Sequence, residues 1–169
     1  MTGLQCAWEK LAQGEQKRLI DEFKVDLKEG GFTIHFANAD AAAVTQAAAA
    51  CTLNLAPGQA EHLALALSRH AAEEKAKKGI ADKGEDPNAL RVALGKMHER
   101  KREVMGDALG CPGPHSMTKE WDESMKGAIR RANLRFKDGR AYSWVSLGLY
   151  SIVAQEGAVR RMLGKASAC

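Results

Sequence analysis

A chain of 169 residues, 45% hydrophobic and 27% charged, has the length and composition of one globular domain and excludes wholesale disorder. Only 5% of its residues are aromatic, so the core must come mainly from Leu, Ala, Val and Met, which suits closely packed helices better than a thick β-sandwich. The net charge of +4 is uneven: residues 1–85 carry 10 Lys/Arg against 12 Asp/Glu, whereas residues 126–169 carry 9 against 2.

Leu4, Trp8, Leu11 and Leu19 recur on one stripe and predict an amphipathic helix from Leu4 to about Ile20. The period then changes to two. Phe23, Val25 and Leu27 alternate with polar residues, as do Phe32, Ile34 and Phe36 beyond Lys28-Glu29-Gly30-Gly31. A turn over Lys28 to Gly31 pairs Leu27 with Phe32, Val25 with Ile34 and Phe23 with Phe36, which predicts a β-hairpin over residues 22–37 with all six apolar side chains on one buried face. Asn38 or Asp40 can cap an Ala-rich helix to about Leu53, and Pro57 opens another to about Lys78, with Leu63, Leu67, His70 and Ala71 inward.

Residues 79–88 are polar and contain Gly84, which makes them the expected flexible loop. A helix follows from Pro87 to Leu109, with Leu90, Leu94, Met97, Val104 and Ala108 inward. Pro112-Gly113-Pro114 breaks the chain. Thr118 caps a helix to Asp138 whose stripe is Trp121, Met125, Ile129, Ala132 and Phe136, with Gly139 as its terminal glycine. Between Ala141 and Val153 the apolar residues fit a helix or a strand. Gly148 in the middle favours helix, and the alternative would add a third strand from the Trp144 region. A short basic helix, Gly157 to Lys165, closes the chain.

The expected architecture is a single mainly α (α+β) domain over residues 1–169, with five or six helices and one hairpin between the first and second of them. The most apolar stretch, Ala41 to Ala56, is interrupted by Thr45, Gln46, Thr52 and Asn54, short of the roughly 20 apolar residues of a membrane span. The first residues show no apolar leader, and Cys6, Cys51, Cys111 and Cys169 form no close pair. They read as free thiols of a reducing compartment, so a cytoplasmic protein without membrane contact is expected.

The basic part, residues 118–169, carries the functional expectation. Lys126, Arg130 and Lys137 recur at helical spacing away from the apolar stripe, with Arg131, Arg135 and Arg140 beside them and Arg160, Arg161 and Lys165 beyond. Such side chains on a solvated face suit phosphate contacts, and Tyr142 and Trp144 could stack on bases. The competing account is structural: Glu120, Asp122 and Glu123 at one end and Arg135, Lys137 and Arg140 at the other complement a helix dipole. Residues 152–165 also resemble the second half of a helix-turn-helix with its turn at Gly157, although the recognition helix would be short.

No phosphate-binding glycine loop, metal-protease motif or nucleophile elbow is present, and Cys111 with His115 is too common a pairing to define a reaction. No cofactor is implied, and no second close pair of ligands supports a metal. The expectation is therefore a non-enzymatic protein that binds nucleic acid without strong sequence preference. The alternative is an adaptor or inhibitor docking an acidic protein surface through the same face, and a homodimer fits the Ala- and Met-rich helices equally well.

Overall fold

The computed structural model describes residues 3–169. Those residues form eight helices and one small antiparallel sheet, so the protein is mostly helical but has more and shorter helices than the expected five or six.

The first predicted helix is two, α1 (Gly3–Lys10) and α2 (Gln13–Glu22). Ala12 between them is extended at φ −56° and ψ 138°. The Gln16 side-chain amide donates to the Trp8 and Leu11 carbonyls at 2.6 and 3.2 Å, satisfying groups that the end of α1 leaves open. The hairpin therefore follows the second helix, not the first.

Strands β1 (Lys24–Lys28) and β2 (Gly31–His35) pair in the expected register, Val25 opposite Ile34 and Leu27 opposite Phe32. Gly30, at φ 79°, takes the left-handed turn position that a side chain would strain. The apolar face is not buried along its whole length: Phe23 and Ile34 are buried, whereas Leu27 is 86% exposed. Phe32, opposite Leu27, packs edge-on against Tyr150, so the core covers β2 and leaves the turn end of β1 in water. A third strand exists, but it is β3 (His115–Ser116), which pairs with Thr33 and Ile34 on the far edge of β2. Pro112 and Pro114 keep this segment out of a helix, and the extended chain beyond them joins the open edge.

Helix α3 (Ala41–Ala50) starts where the Asp40 carboxylate accepts the Ala43 N–H at 2.9 Å, as the capping residue implied. Helix α4 (Gln59–Asp82) runs beyond the expected end, so only residues 83–88 remain as the connection. The predicted helix from Pro87 to Leu109 is broken into α5 (Ala89–Leu94) and α6 (Glu99–Leu109). The break shifts the phase of the stripe: Met105 and Leu109 are buried, while Val104 is 58% exposed instead of inward.

Thr118 caps α7 (Lys119–Arg131) by accepting the Trp121 N–H at 3.1 Å. That helix ends seven residues before Asp138, with Asn133 in the left-handed region at φ 53°. Helix α8 (Arg140–Met162) is one continuous rod. It confirms the helical choice for residues 141–153, absorbs the separately expected closing helix and leaves no turn at Gly157.

The centre of the molecule is α4 against α8, with α6 packed on α8 as well. Here small residues decide the geometry: a Cβ on Gly157 would lie 1.7 Å from the Gly106 carbonyl oxygen, so the α6 and α8 backbones touch. One apolar cluster joins α1–α3 to the first half of α4 through Trp8, Leu19, Val44 and Leu63. The larger one joins the hairpin and α5–α8 to its second half.

The cysteines correct the free-thiol expectation. Cys6 is bonded to Cys51 and Cys111 to Cys169, with Cα separations of 5.9 and 5.7 Å. Partners 45 and 58 residues apart leave no local spacing signal. The pairing removes the ground on which the cytoplasmic expectation stood, because disulfides persist mainly in oxidising surroundings. Among the described residues no helix is long and apolar enough to cross a membrane.

Candidate functional site

The nine predicted cationic residues fall into three groups. On α7, Lys126 Nζ is 2.7 Å from an Asp122 carboxylate oxygen, and Arg130, its side chain 65% exposed, stands 3.8 Å from Glu123. Arg131 is exposed but donates Nε and Nη2 to the Lys96 carbonyl at 3.0 and 2.9 Å, closing the break between α5 and α6.

The second group lies in the connection from α7 to α8. Arg135, Lys137 and Arg140 are all exposed. The Lys137 backbone N–H donates to Glu85 at 2.5 Å, which anchors this connection to the segment after α4. Arg140 pairs with Asp138 at 2.8 Å. Hydrogen bonds from Arg140, with its charge, hold the Asp138 carboxyl down at about 2. The Arg135 and Lys137 side chains have no carboxylate within ion-pair distance among the described residues.

The third group sits at the other end of α8, some twenty residues or about 30 Å along the rod. Arg160 binds Asp107 at 2.6 Å and the Glu103 carbonyl at 2.7 Å. Arg161 is buried, donating to the Ser167 and Asp107 carbonyls at 2.9 and 2.8 Å. Lys165 is exposed, and its backbone N–H closes the helix end on the Arg160 carbonyl. A single basic track along the C-terminal part is therefore not what the fold assembles.

The aromatic neighbours differ from each other. Tyr142 is half-buried beside Arg130 and Lys126, and burial pushes its hydroxyl up from its ordinary value. Trp144 packs its ring on α4, where a Cβ on Gly79 would come within 2.2 Å of it, so its face is occupied.

Titratable groups also converge in a groove of about 1140 Å³ between α4, α6 and α8. Glu73 accepts from Gln155 at 2.8 Å and from Lys77 at 2.9 Å, and His70 Nδ1 lies 3.2 Å from Gln155 Oε1. Trp8 closes edge-on against His70 at 4.9 Å. Burial by itself would raise the Glu73 carboxyl, but hydrogen bonds and charge from His70 and Lys77 outweigh it and hold it at about 2. Each member finds a partner within the set, so the groove floor reads as a satisfied buried network.

Sequence reasoning missed Arg69. Placed on the inner side of α4, it is 2% exposed and donates to the Leu109 carbonyl at 3.0 and 3.2 Å and to the Cys111 carbonyl at 2.6 Å. Its guanidinium also lies 4.3 Å over the Phe36 ring. Burial first, and then the charge of Arg161, pull its pKa down from the usual range. His115, whose ring Nε2 donates to the Cys111 carbonyl at 2.9 Å, is lowered by burial and by Arg69. With Cys111 bonded to Cys169, the Cys111–His115 pairing holds no thiol nucleophile. An arginine among Leu67, His70 and Ala71 gave one available signal, a charge on an otherwise apolar stripe. No family model, no curated protein and no solved structure matches this chain.

Proposed function

We propose that this protein binds a polyanion, nucleic acid without strong sequence preference, through the connection between α7 and α8, and that it does so as a non-enzymatic protein. The observation that carries this reading is the exposure of Arg130, Arg135, Lys137 and Arg140 within residues 130–140, against one carboxylate of that segment, Asp138; Arg131 is held on the Lys96 carbonyl and is not counted. The helix-dipole account explains only part of the cluster. α7 ends at Arg131, so Arg135 and Lys137 lie beyond the helix they would complement, and Arg140 sits at the amino end of α8, where the dipole disfavours a cation. Solvated guanidinium and ammonium groups on an irregular segment can follow a phosphate backbone and release its counterions. Tyr142 adjoins the cluster as a stacking surface. Arg160 and Arg161, already committed to α6 and to the segment after α8, are left out of the contact set.

The test is fluorescence anisotropy with labelled duplex DNA, single-stranded DNA and RNA between about 50 and 200 mM salt. Binding is expected to weaken steeply with salt and to be indifferent to base sequence. Arg135→Ala with Lys137→Ala is expected to lower the slope of log affinity on log salt by about one per contact removed. No binding at the lowest salt, or an unchanged slope in the double variant, overturns the proposal.

A further inference from the structure

The two disulfides join unlike parts of the molecule. Cys6–Cys51 links α1 to the end of α3, and these elements also pack without it: Ala7, Trp8, Val44 and Ala47 share one buried cluster, and the Leu53 side chain lies against Gly3. Both of its cysteines are half-buried. Cys111–Cys169 instead ties down the chain that leaves α8, and Cys169 is exposed.

That chain has little else to hold it. Gly164, at φ 69°, turns it off the helix, and Lys165 closes the helix end on the Arg160 carbonyl. Residues 166–169 are Ala, Ser, Ala and Cys, none of them buried. Among the described residues their one hydrogen bond runs from Arg161 Nε to the Ser167 carbonyl at 2.9 Å. One such bond does not offset the backbone entropy of ordering four residues, so the disulfide keeps the segment in place. In place, it lies on Arg161, which is 8% exposed, and Ala166 and Ala168 wall a cavity of about 680 Å³ against Ala64 and Leu65 of α4.

We propose that Cys111–Cys169 is a redox latch: an external dithiol opens it while the fold stands, residues 166–169 let go, and Arg161 and the cavity open to water. The dithiol's thiolate attacks the exposed Cys169 sulfur, the S–S bond breaks, and its electron pair leaves on Cys111. The second thiolate of the reductant then displaces Cys169 from the mixed disulfide. The reductant ends as a disulfide, and the two protein thiolates take protons from water. Cys111 is suited to leave. Its sulfur lies 3.4 Å from the Asp107 carbonyl, to which Arg161 donates at 2.8 Å, and Arg69 donates to the Cys111 carbonyl at 2.6 Å. Neither guanidinium has a carboxylate within ion-pair distance among the described residues, since the Asp107 carboxylate turns to Arg160, so a thiolate is favoured beside them. The latch uses no residue of segment 130–140 and stands or falls separately from the polyanion reading.

The full chain with both disulfides formed is treated with dithiothreitol, quenched at intervals with iodoacetamide in denaturant and mapped by mass. Cys111 and Cys169 are expected to become alkylated at least tenfold faster than Cys6 and Cys51, with far-ultraviolet circular dichroism unchanged. Phenylglyoxal, which reacts with solvated arginine, is expected to modify Arg161 at least tenfold faster once Cys111–Cys169 alone is reduced. Cys169→Ser is expected to fold and to show the same Arg161 reactivity without reductant. Equal reduction rates at the two disulfides, or opening of Cys111–Cys169 only as the dichroism is lost, overturns the proposal. So does an Arg161 that stays protected in the reduced protein, or a Cys169→Ser chain that does not fold.

Discussion

Along residues 130–140 the Arg130, Arg135, Lys137 and Arg140 side chains stand in water, while Arg69 and Arg161 are enclosed near the end of α6. The residue types are the same and the surroundings are opposite. A solvated arginine keeps its hydration and gives it up only to a ligand, so it costs the fold little and remains available. An enclosed arginine has exchanged water for the carbonyls of Leu109, Cys111, Asp107 and Ser167, and the chain segments that supply them become dependent on it. Charge content alone therefore says nothing about whether a cation holds the protein together or meets a partner.

The largest expected effect comes from the enclosed end. Arg69→Met leaves the buried Leu109 carbonyl without its donor and the Cys111 carbonyl with His115 alone, and is expected to lower unfolding stability by about 3 kcal/mol, read from the urea midpoint. A loss under about 0.5 kcal/mol would mean that desolvation of the guanidinium cancels its bonds, and the contrast between the two regions would fail.

Carboxylates sharpen the same contrast. Glu73 and Asp138 are both held at about 2, the first within a buried network and the second half-buried beside the solvated Arg140. A carboxyl held below its unfolded value contributes stability at pH above that value, near 4.5, and loses it as pH falls toward 2. Glu73→Gln is expected to flatten the acid limb of stability against pH over that window by about 2 kcal/mol. Asp138→Asn should leave the limb close to wild type, because solvent screens its pair with Arg140. Equal effects of the two substitutions would show that burial is not what separates them.

The smallest change belongs to the exposed end. Arg135→Ala is expected to alter the urea midpoint by no more than about 0.5 kcal/mol, since a solvated side chain without a partner contributes little to folding. A larger loss would place Arg135 among the structural arginines and remove it from the proposed contact set.

The features legible in the sequence are those set within a few residues. The register of Val25 with Ile34 follows from alternation and turn length, and the caps at Asp40 and Thr118 follow from side chains that reach the backbone three residues on. The breaks at Ala12 and between Leu94 and Glu99 were hidden because apolar residues keep helical spacing across them, and what stabilises each break is a side chain, Gln16 or Arg131, acting on carbonyls elsewhere. Arg160 and Arg161 are adjacent in a basic run, yet one turns to the Asp107 carboxylate and the other inward, a split that depends on where α6 lies.

By itself the sequence determined the helical class, the hairpin and its register, two helix starts and the positive charge of the C-terminal part. These rest on periodicity and on short-range hydrogen bonds, which need no knowledge of distant residues. Tertiary structure alone decided that β3 extends the hairpin, that Cys6 meets Cys51 and Cys111 meets Cys169, and which arginines remain in water. The reason is that cross-linking and desolvation depend on atoms brought together from far along the chain, and close approach such as that of Gly106 and Gly157 exists only once the helices have packed.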